Sequence, residues 1–295
     1  MPRAKRLIIS ADDFGMSPGV NAAVLRAHRD GVLTDASLMV NGAAADDAIA
    51  LARTAPHLSV GLHLVLAQGR ATLPAREIPD LVDADGCFRN QPIGAALGYF
   101  FTPGVRAQVR REIAAQIEKF LAAGRPLSHV DGHVNIHMHP TILNILLEMA
   151  DRYGIRALRL TVEPLRVALR LDGRHAARKI AEGLTFAALS SYARPRMDAR
   201  GIRHPDRMFG LHQSGHLTES YLLRLLSSVE SGVTEIYCHP AQIDAEVRRW
   251  RPADYESEAE LAALTSPRVA ERIRALGIER TSYRELAASR FETRD

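Results

Sequence analysis

The sequence predicts a single-domain α/β fold, a distorted (β/α) TIM-like barrel of parallel strands joined by crossover helices. Three observations predict it. Short apolar runs alternate with helix-period segments seven or eight times along the 295 residues, and alternation of that kind builds a parallel sheet. No G-x-G-x-x-G follows the first apolar run, which removes the dinucleotide-binding version of the architecture. Polar residues unusual for a core gather where the strands end, where a parallel barrel assembles its site from the loops.

The elements follow in order. "RLIISADDFG" (6–15) reads as a buried strand ending in a polar turn. The helix after it, 17–31, has Ser17 as N-cap and Pro18 at its first turn, and stops at Gly31. "DASLMVNG" and "LSVGLHLVL" (58–66) are the next strands, with the helix "AADDAIALARTAP" between them. "PGVRAQVRREIAAQIEKFLAAG" places Val105, Val109, Ile113, Ile117 and Phe120 on one helical face. "PLSHVDGH" is the fourth strand and "PTILNILLEMADRYG" its helix. "RALRLTVEP", "RMFGLHQSG" and "TEIYCHPAQ" read as three further strands, with the helix "TESYLLRLLSSVESG" before the last. The helix "SPRVAERIRALG" and a short extended "IERTSYREL" finish the chain. Two irregular stretches, 67–103 and 164–207, read as loops inserted at one end of the one domain, 1–295.

Composition narrows the class. The chain is 46% apolar and 24% charged, with no run of the ~18–20 apolar residues that a membrane span needs. No signal peptide is legible at "MPRAKRLIIS", and two distant cysteines suit a reducing, cytoplasmic setting. The net charge of +4 is unevenly placed: nine Arg or Lys against four acids between Pro164 and Asp206 give +5 there and −1 elsewhere. Sparse aromatics and the absence of a recognition motif exclude a nucleic-acid module. An Arg-rich solvated helix pair accounts for the basic segment, and so does a lid in peripheral contact with anionic lipid.

The polar residues are Asp12-Asp13 ending strand one, Asn41 ending strand two and His63 within strand three. Strand four, "HVDGHVNIHMHP", carries His129, Asp131 and His133 at period two, with His137 and His139 beyond. Glu163, His212 and His239 stand at the later strand ends. Two imidazoles and a carboxylate make a three-ligand site with open positions, the arrangement of catalytic metals. A second carboxylate can then serve as base and a separate histidine as acid. Blander roles fit the same residues. Adjacent Asp can cap a helix, His63 can be a hydrogen-bonded core imidazole, and Asp131 can orient a neighbouring histidine. His137 and His139 suit a pocket rim.

"ADDFGMSPGVN", "VGLHLVL", "HVDGHVNIHMHP", "EIYCHPA" and "LTSPRVAERIRALGIERTSYREL" together resemble the YdjC-like carbohydrate deacetylases over nearly the whole chain. "GLHLVLAQGRATLP", "IPDLVDADGCF" and "FFTPGVRAQVRREIAAQ" make it most similar to the branch associated with hopanoid lipid biosynthesis. The resemblance implies a distorted (β/α) barrel and metal-dependent removal of an N-acetyl group from a sugar or glycolipid. It implies one divalent ion, Mg²⁺ or Zn²⁺, held by Asp13, His63 and His133, with Asp12 as base and His239 as acid. Asn41, Asp131, His137, Glu163 and His212 are then candidates for substrate contact. One departure stands out: where family members carry a histidine run, this chain has Val134 and Asn135 between His133 and His137. The rivals are a phosphoesterase or glycoside hydrolase on a related barrel, the former with two metals, and a non-catalytic sugar- or lipid-binding barrel. A homodimer is the default expectation for such an enzyme.

Overall fold

The computed structural model describes residues 3–88 and 102–289. Seven parallel strands form one sheet around β1 (Lys5–Phe14). On one side of it lie β2 (Asp35–Leu38), β3 (Ser59–Leu64) and β4 (Val130–Gly132); on the other lie β6 (Gly232–Cys238) and then β5 (Arg207–Phe209). The two-residue β7 (Glu279–Arg280) pairs with the start of β1 at Arg6 and Leu7.

"RALRLTVEP" is not a strand of this sheet. It runs between β4 and β5 and makes only isolated bridges, Val130 with Leu158 and Ala157 with Arg203. Arg159 N–H donates to Val130 O at 3.1 Å and Met208 N–H to Val162 O at 3.0 Å, so the stretch still ties the sheet's two edges together. The barrel closes, but irregularly.

The helices form where their ends are satisfied. Ser17 caps α1 (Pro18–Arg29), its hydroxyl accepting from Val20 N–H. After α2 (Ala45–Arg53), α3 (Pro103–Ala122) turns Val109, Ile113, Ile117 and Phe120 inward, and α4 (Pro140–Tyr153) ends at Gly154, whose φ of +69° suits glycine. Burying each such Leu, Ile or Phe contributes roughly 1.5–3 kcal/mol. The basic stretch is not an irregular loop but two helices, α5 (Leu165–Leu171) and α6 (Ala176–Ala199). Three of its nine cations pair with acids of the same stretch: Arg174 and Lys179 with Asp172, Arg178 with Glu182.

Then come α7 (Glu219–Leu225), α8 (Ala245–Trp250), α9 (Ser257–Leu264), α10 (Pro267–Ala275) and α11 (Tyr283–Ala288). The predicted extended tail is extended at β7 and then turns into α11, where Ser282 and Glu285 form a reciprocal cap. Of the expected loop 67–103, residues 89–101 lie outside the described residues; 67–88 are turns held by bridges such as Arg70 with Cys87. No helix among the described residues is long and apolar enough to cross a membrane.

Alternation along the strands sorts side chains between two faces. Leu7 and Ile9 join the main core beneath the helices, whereas Ile8 packs inside the barrel with Ala157, Val233, Tyr283 and Leu286. Above that apolar plug the interior turns polar, with Ser10, Glu235 and Arg159 hydrogen-bonded to one another. The candidate residues sit on top of this layer.

Candidate functional site

Asp12 and Asp13 reach the same site through an irregularity. Ala11 pairs with Ala36 but Phe14 with Leu38, so three steps of β1 oppose two of β2, and Asp13 adopts φ 66°. A bulge of this kind re-aims a side chain, and a left-handed residue at a polar site is strain of the sort that functional positions hold. Strict alternation would have sent the two carboxylates to opposite faces.

Three side chains from distant segments converge. Asp13, His63 and His133 each offer a ligand atom, all within 4.8 Å of one another. Asp13 Oδ1 lies 3.1 Å from His133 Nδ1 and 3.4 Å from His63 Nε2. Ligands ~2.0–2.2 Å from one ion stand about 3.0–3.4 Å apart as neighbours, so these spacings match a shared cation. His63 Nδ1 faces Asp131 Oδ1 at 2.8 Å, which leaves Nε2 directed at Asp13. A carboxylate behind a ligating imidazole fixes its orientation in this way. His133 Nε2 is buried without a partner. The donor set fits a divalent ion.

A second group, Asp12, His63 and Asp131, also meets the distance requirement. A cation already fills it. Arg159 donates from Nη1 to Asp12 Oδ2 and from Nη2 to Asp12 Oδ1, both at 2.8 Å, and its Nη2 lies 2.9 Å from Asp131 Oδ2. The same guanidinium meets Glu235, whose other oxygen accepts from Tyr283 Oη at 2.6 Å. Arg251 plays the comparable part at Asp13, with Nε 3.1 Å and Nη2 3.0 Å from Oδ2.

Electrostatics follow from these pairs. Burial pushes the Asp13 carboxyl up, but Arg251 first and then His133 and His239 outweigh it and hold it well below its usual value. Burial also works against charge on His63, yet Asp131, Asp12 and Asp13 carry it up to about 9. Burial, aided by Arg251 and His63, brings His239 down to about 4 despite Asp13 and Asp12 nearby. Its Nδ1 has no partner.

A cavity of about 100 Å³ is lined by Asp12, Asp13, His63, His133, Tyr237 and His239, with Trp250, Arg251 and Tyr255 at its sides. Val134 and Asn135 line it too, both at positive φ (49° and 57°), with Val134 43% exposed. A larger cavity of about 550 Å³ adjoins it, sharing Ser214, Pro252 and Tyr255.

The expected substrate contacts divide. His212 lines the larger cavity, and its backbone N–H donates to Glu163 Oε2 at 3.1 Å. Glu163 lines neither cavity, its carboxylate being turned to that backbone. Asp131 and His137 are not at the pocket surface. Both are fully buried, Asp131 behind His63 and Arg159, and His137 with Nε2 against Arg159 O at 3.1 Å. Asn41 donates to Arg70 O and lines a separate small pocket with Met16 and Met39. His139 caps α4 by accepting from Thr141 N–H.

Sequence reasoning missed Arg159 and Arg251. Arg159 carried a signal, since it is the one charge within the apolar "ALRLTV" and a charge there demands a buried partner. Arg251 carried none, being one of three arginines in "VRRWRP".

The family model described as YdjC-like protein matches residues 6–275. A carbohydrate deacetylase of Geobacillus stearothermophilus is 33% identical over 287 residues, covering 97% of this chain and 98% of the relative. A chitooligosaccharide deacetylase of Yersinia enterocolitica is 31% identical over 289 residues, 95% and 98% of the two chains. A solved structure from Enterococcus faecalis, described as a cellobiose-phosphate cleavage protein, superposes with a TM-score of 0.74 at 32% identity, covering 96% of this chain and 99% of that one.

Proposed function

The chain belongs to the YdjC-like family, and from that premise and the site geometry we propose that it is a metal-dependent hydrolase. It removes the N-acetyl group from an N-acetylhexosamine. The observation that carries this is the meeting of Asp13, His63 and His133 within 4.8 Å, on a cavity that Asp12 and His239 also line.

Asp13, His63 and His133 would hold the ion, Mg²⁺ or Zn²⁺. Such an ion, when bound, supplies Lewis-acid polarisation of the amide carbonyl and makes a water more acidic. Asp12, fixed by the Arg159 fork, takes the proton from the attacking water as the carbonyl carbon becomes tetrahedral. His239 is neutral in the free site, because burial holds it near 4. The proton that Asp12 takes from water is the one His239 must then receive, and His239 passes it to the departing amine as the C–N bond breaks. Acetate and the free amino sugar leave. Tyr237, Trp250 and Tyr255 wall the cavity and limit the water around it.

The names of the relatives support a sugar substrate, and the adjoining 550 Å³ cavity offers room for what the N-acetyl sugar is attached to. The sequence likeness to the hopanoid-associated branch supports a glycolipid as that carrier. Ile180 and Leu184 are exposed on α6, the helix whose Arg178, Lys179 and Glu182 line that cavity. The two-metal phosphoesterase has less support, because Arg159 occupies the carboxylates that a second ion would need.

The test is a screen for acetate release from N-acetylglucosaminyl lipids and chito-oligosaccharides, with and without chelator. Asp13→Asn tolerates the left-handed backbone and is expected to abolish release and ion binding together, with the thermal transition retained. Turnover that survives both the chelator and this substitution overturns the proposal.

A further inference from the structure

The two oxygens of Asp13 are divided. Oδ1 faces His63 and His133, at 3.4 and 3.1 Å. Oδ2 faces Arg251, whose Nε and Nη2 lie 3.1 and 3.0 Å from it. Arg251 is itself fixed from behind, because Nη1 donates to His239 O at 2.6 Å and to Ser257 Oγ at 3.0 Å. One buried guanidinium thus joins the candidate ligand to the backbone of the candidate acid. Its place in the fold comes from α8, which ends at Trp250 and delivers Arg251 to the cavity wall.

From this geometry we infer that Arg251 is a positioning residue that withholds the second oxygen of Asp13 from the ion, so that Asp13 serves as a one-oxygen ligand. The inference rests on the metal reading above and extends it to a residue that is not itself a ligand of the ion. Its consequence is a trade between affinity and reactivity. A carboxylate can bind a cation through one oxygen or two, and a second oxygen fills a position that water or the amide carbonyl needs. The guanidinium also places a positive charge beside the ion, which opposes tight binding but leaves the ion a stronger Lewis acid.

The expected signature differs from that of damage. A residue that only held the fold together would, when lost, weaken ion binding and turnover alike. Arg251→Met instead is expected to tighten the Kd of the apo protein for Zn²⁺ by at least about tenfold, since a like charge has been removed nearby. Acetate release at saturating ion is expected to fall by at least about tenfold.

Arg251→Lys keeps a positive charge at Asp13 and is expected to hold the Kd near the wild-type value. Ser257→Ala loosens the fork without removing it and should move the Kd in the same direction as Arg251→Met by a smaller factor. These two variants decide the matter if Arg251→Met does not fold. The measurements are calorimetric titration of apo protein with Zn²⁺ and thermal melts of each variant. One ion on the wild type, with equal or weaker binding by Arg251→Met and Ser257→Ala, overturns this inference alone; so does tighter binding by them with turnover unchanged, or tightening by Arg251→Lys as large as that by Arg251→Met. A wild-type chain that binds no ion overturns the metal reading and this inference with it.

Discussion

Arg159→Met tests the polar layer beneath the site. Arg159 is 1% exposed and faces Asp12, Asp131 and Glu235 at 2.8–2.9 Å. Methionine fills much of the same space but leaves three buried carboxylates without their shared cation. None is left wholly unpaired. Asp131 keeps His63, Asp12 keeps Ser37, and Glu235 keeps Ser10 and Tyr283. The cost is therefore that of one broken buried pair, ~3–5 kcal/mol, rather than three times that. At roughly 2 °C per kcal/mol for a chain of this size, the thermal midpoint of the ion-free protein should fall by about 6–10 °C.

The pH dependence gives a second handle. In the wild type, burial raises Asp131 but Arg159 and then His63 hold it far below its ordinary value. A depressed carboxyl adds stability above its unfolded pKa of ~4, and that stability is lost as pH falls through the folded value. Without Arg159, burial weighs more at Asp131 and its carboxyl moves up, so protonation now relieves the variant. The gap in midpoint between wild type and variant should narrow from about pH 8 to about pH 5. Scanning calorimetry in chelator at both pH values reads it directly. A drop under about 2 °C, or a gap unchanged with pH, refutes the reasoning.

Two further outcomes follow from the same geometry. His63, carried up to about 9 without an ion, must lose its proton to ligate, so ion binding at neutral pH should release about one proton and tighten about tenfold per pH unit up to that value. Titration in two buffers of different ionisation enthalpy measures this, and binding without proton release contradicts it. Gly61→Ala would bring a Cβ to 2.3–2.7 Å from the His129 ring, which is itself stacked on Tyr283 at 3.9 Å. A destabilisation of roughly 1–3 kcal/mol is expected by chemical denaturation; an unchanged midpoint would show that the ring can move aside.

Much of this fold is written in local pattern. The first strand, its Ser17-capped helix and the alternation of His129, Asp131 and His133 need only nearby residues to be legible. What failed depends on distant partners. "RALRLTVEP" has strand composition, yet it bridges two sheet edges whose spacing allows only isolated pairs, so propensity lost to tertiary geometry. The polar strand ends were visible as a set, but alternation could not foresee the bulge that brings Asp12 and Asp13 to one side. Nor could it tell a pocket histidine from a buried one. His137 and His133 stand four residues apart, and only the turn between them, with Val134 and Asn135 left-handed, sends His137 back against Arg159. Arg251 lies 238 residues from the aspartate it holds, beyond the reach of any window.

The two arginines also bear on how many ions the centre takes. Four buried carboxylates, Asp12, Asp13, Asp131 and Glu235, face two buried guanidiniums, Arg159 and Arg251. The excess is negative, and without an ion Asp131, Asp12 and Asp13 raise the His63 pKa to about 9, so that it takes up a proton at neutral pH. A single divalent cation at Asp13, His63 and His133 replaces that proton and offsets the excess. A second at Asp12 and Asp131 would have to expel the fully buried Arg159 from two of its three carboxylates and leave it Glu235 alone. Breaking buried ion pairs in this way is strongly destabilising. Equilibrium dialysis should therefore saturate at one ion per chain; two would require Arg159 to leave its carboxylates.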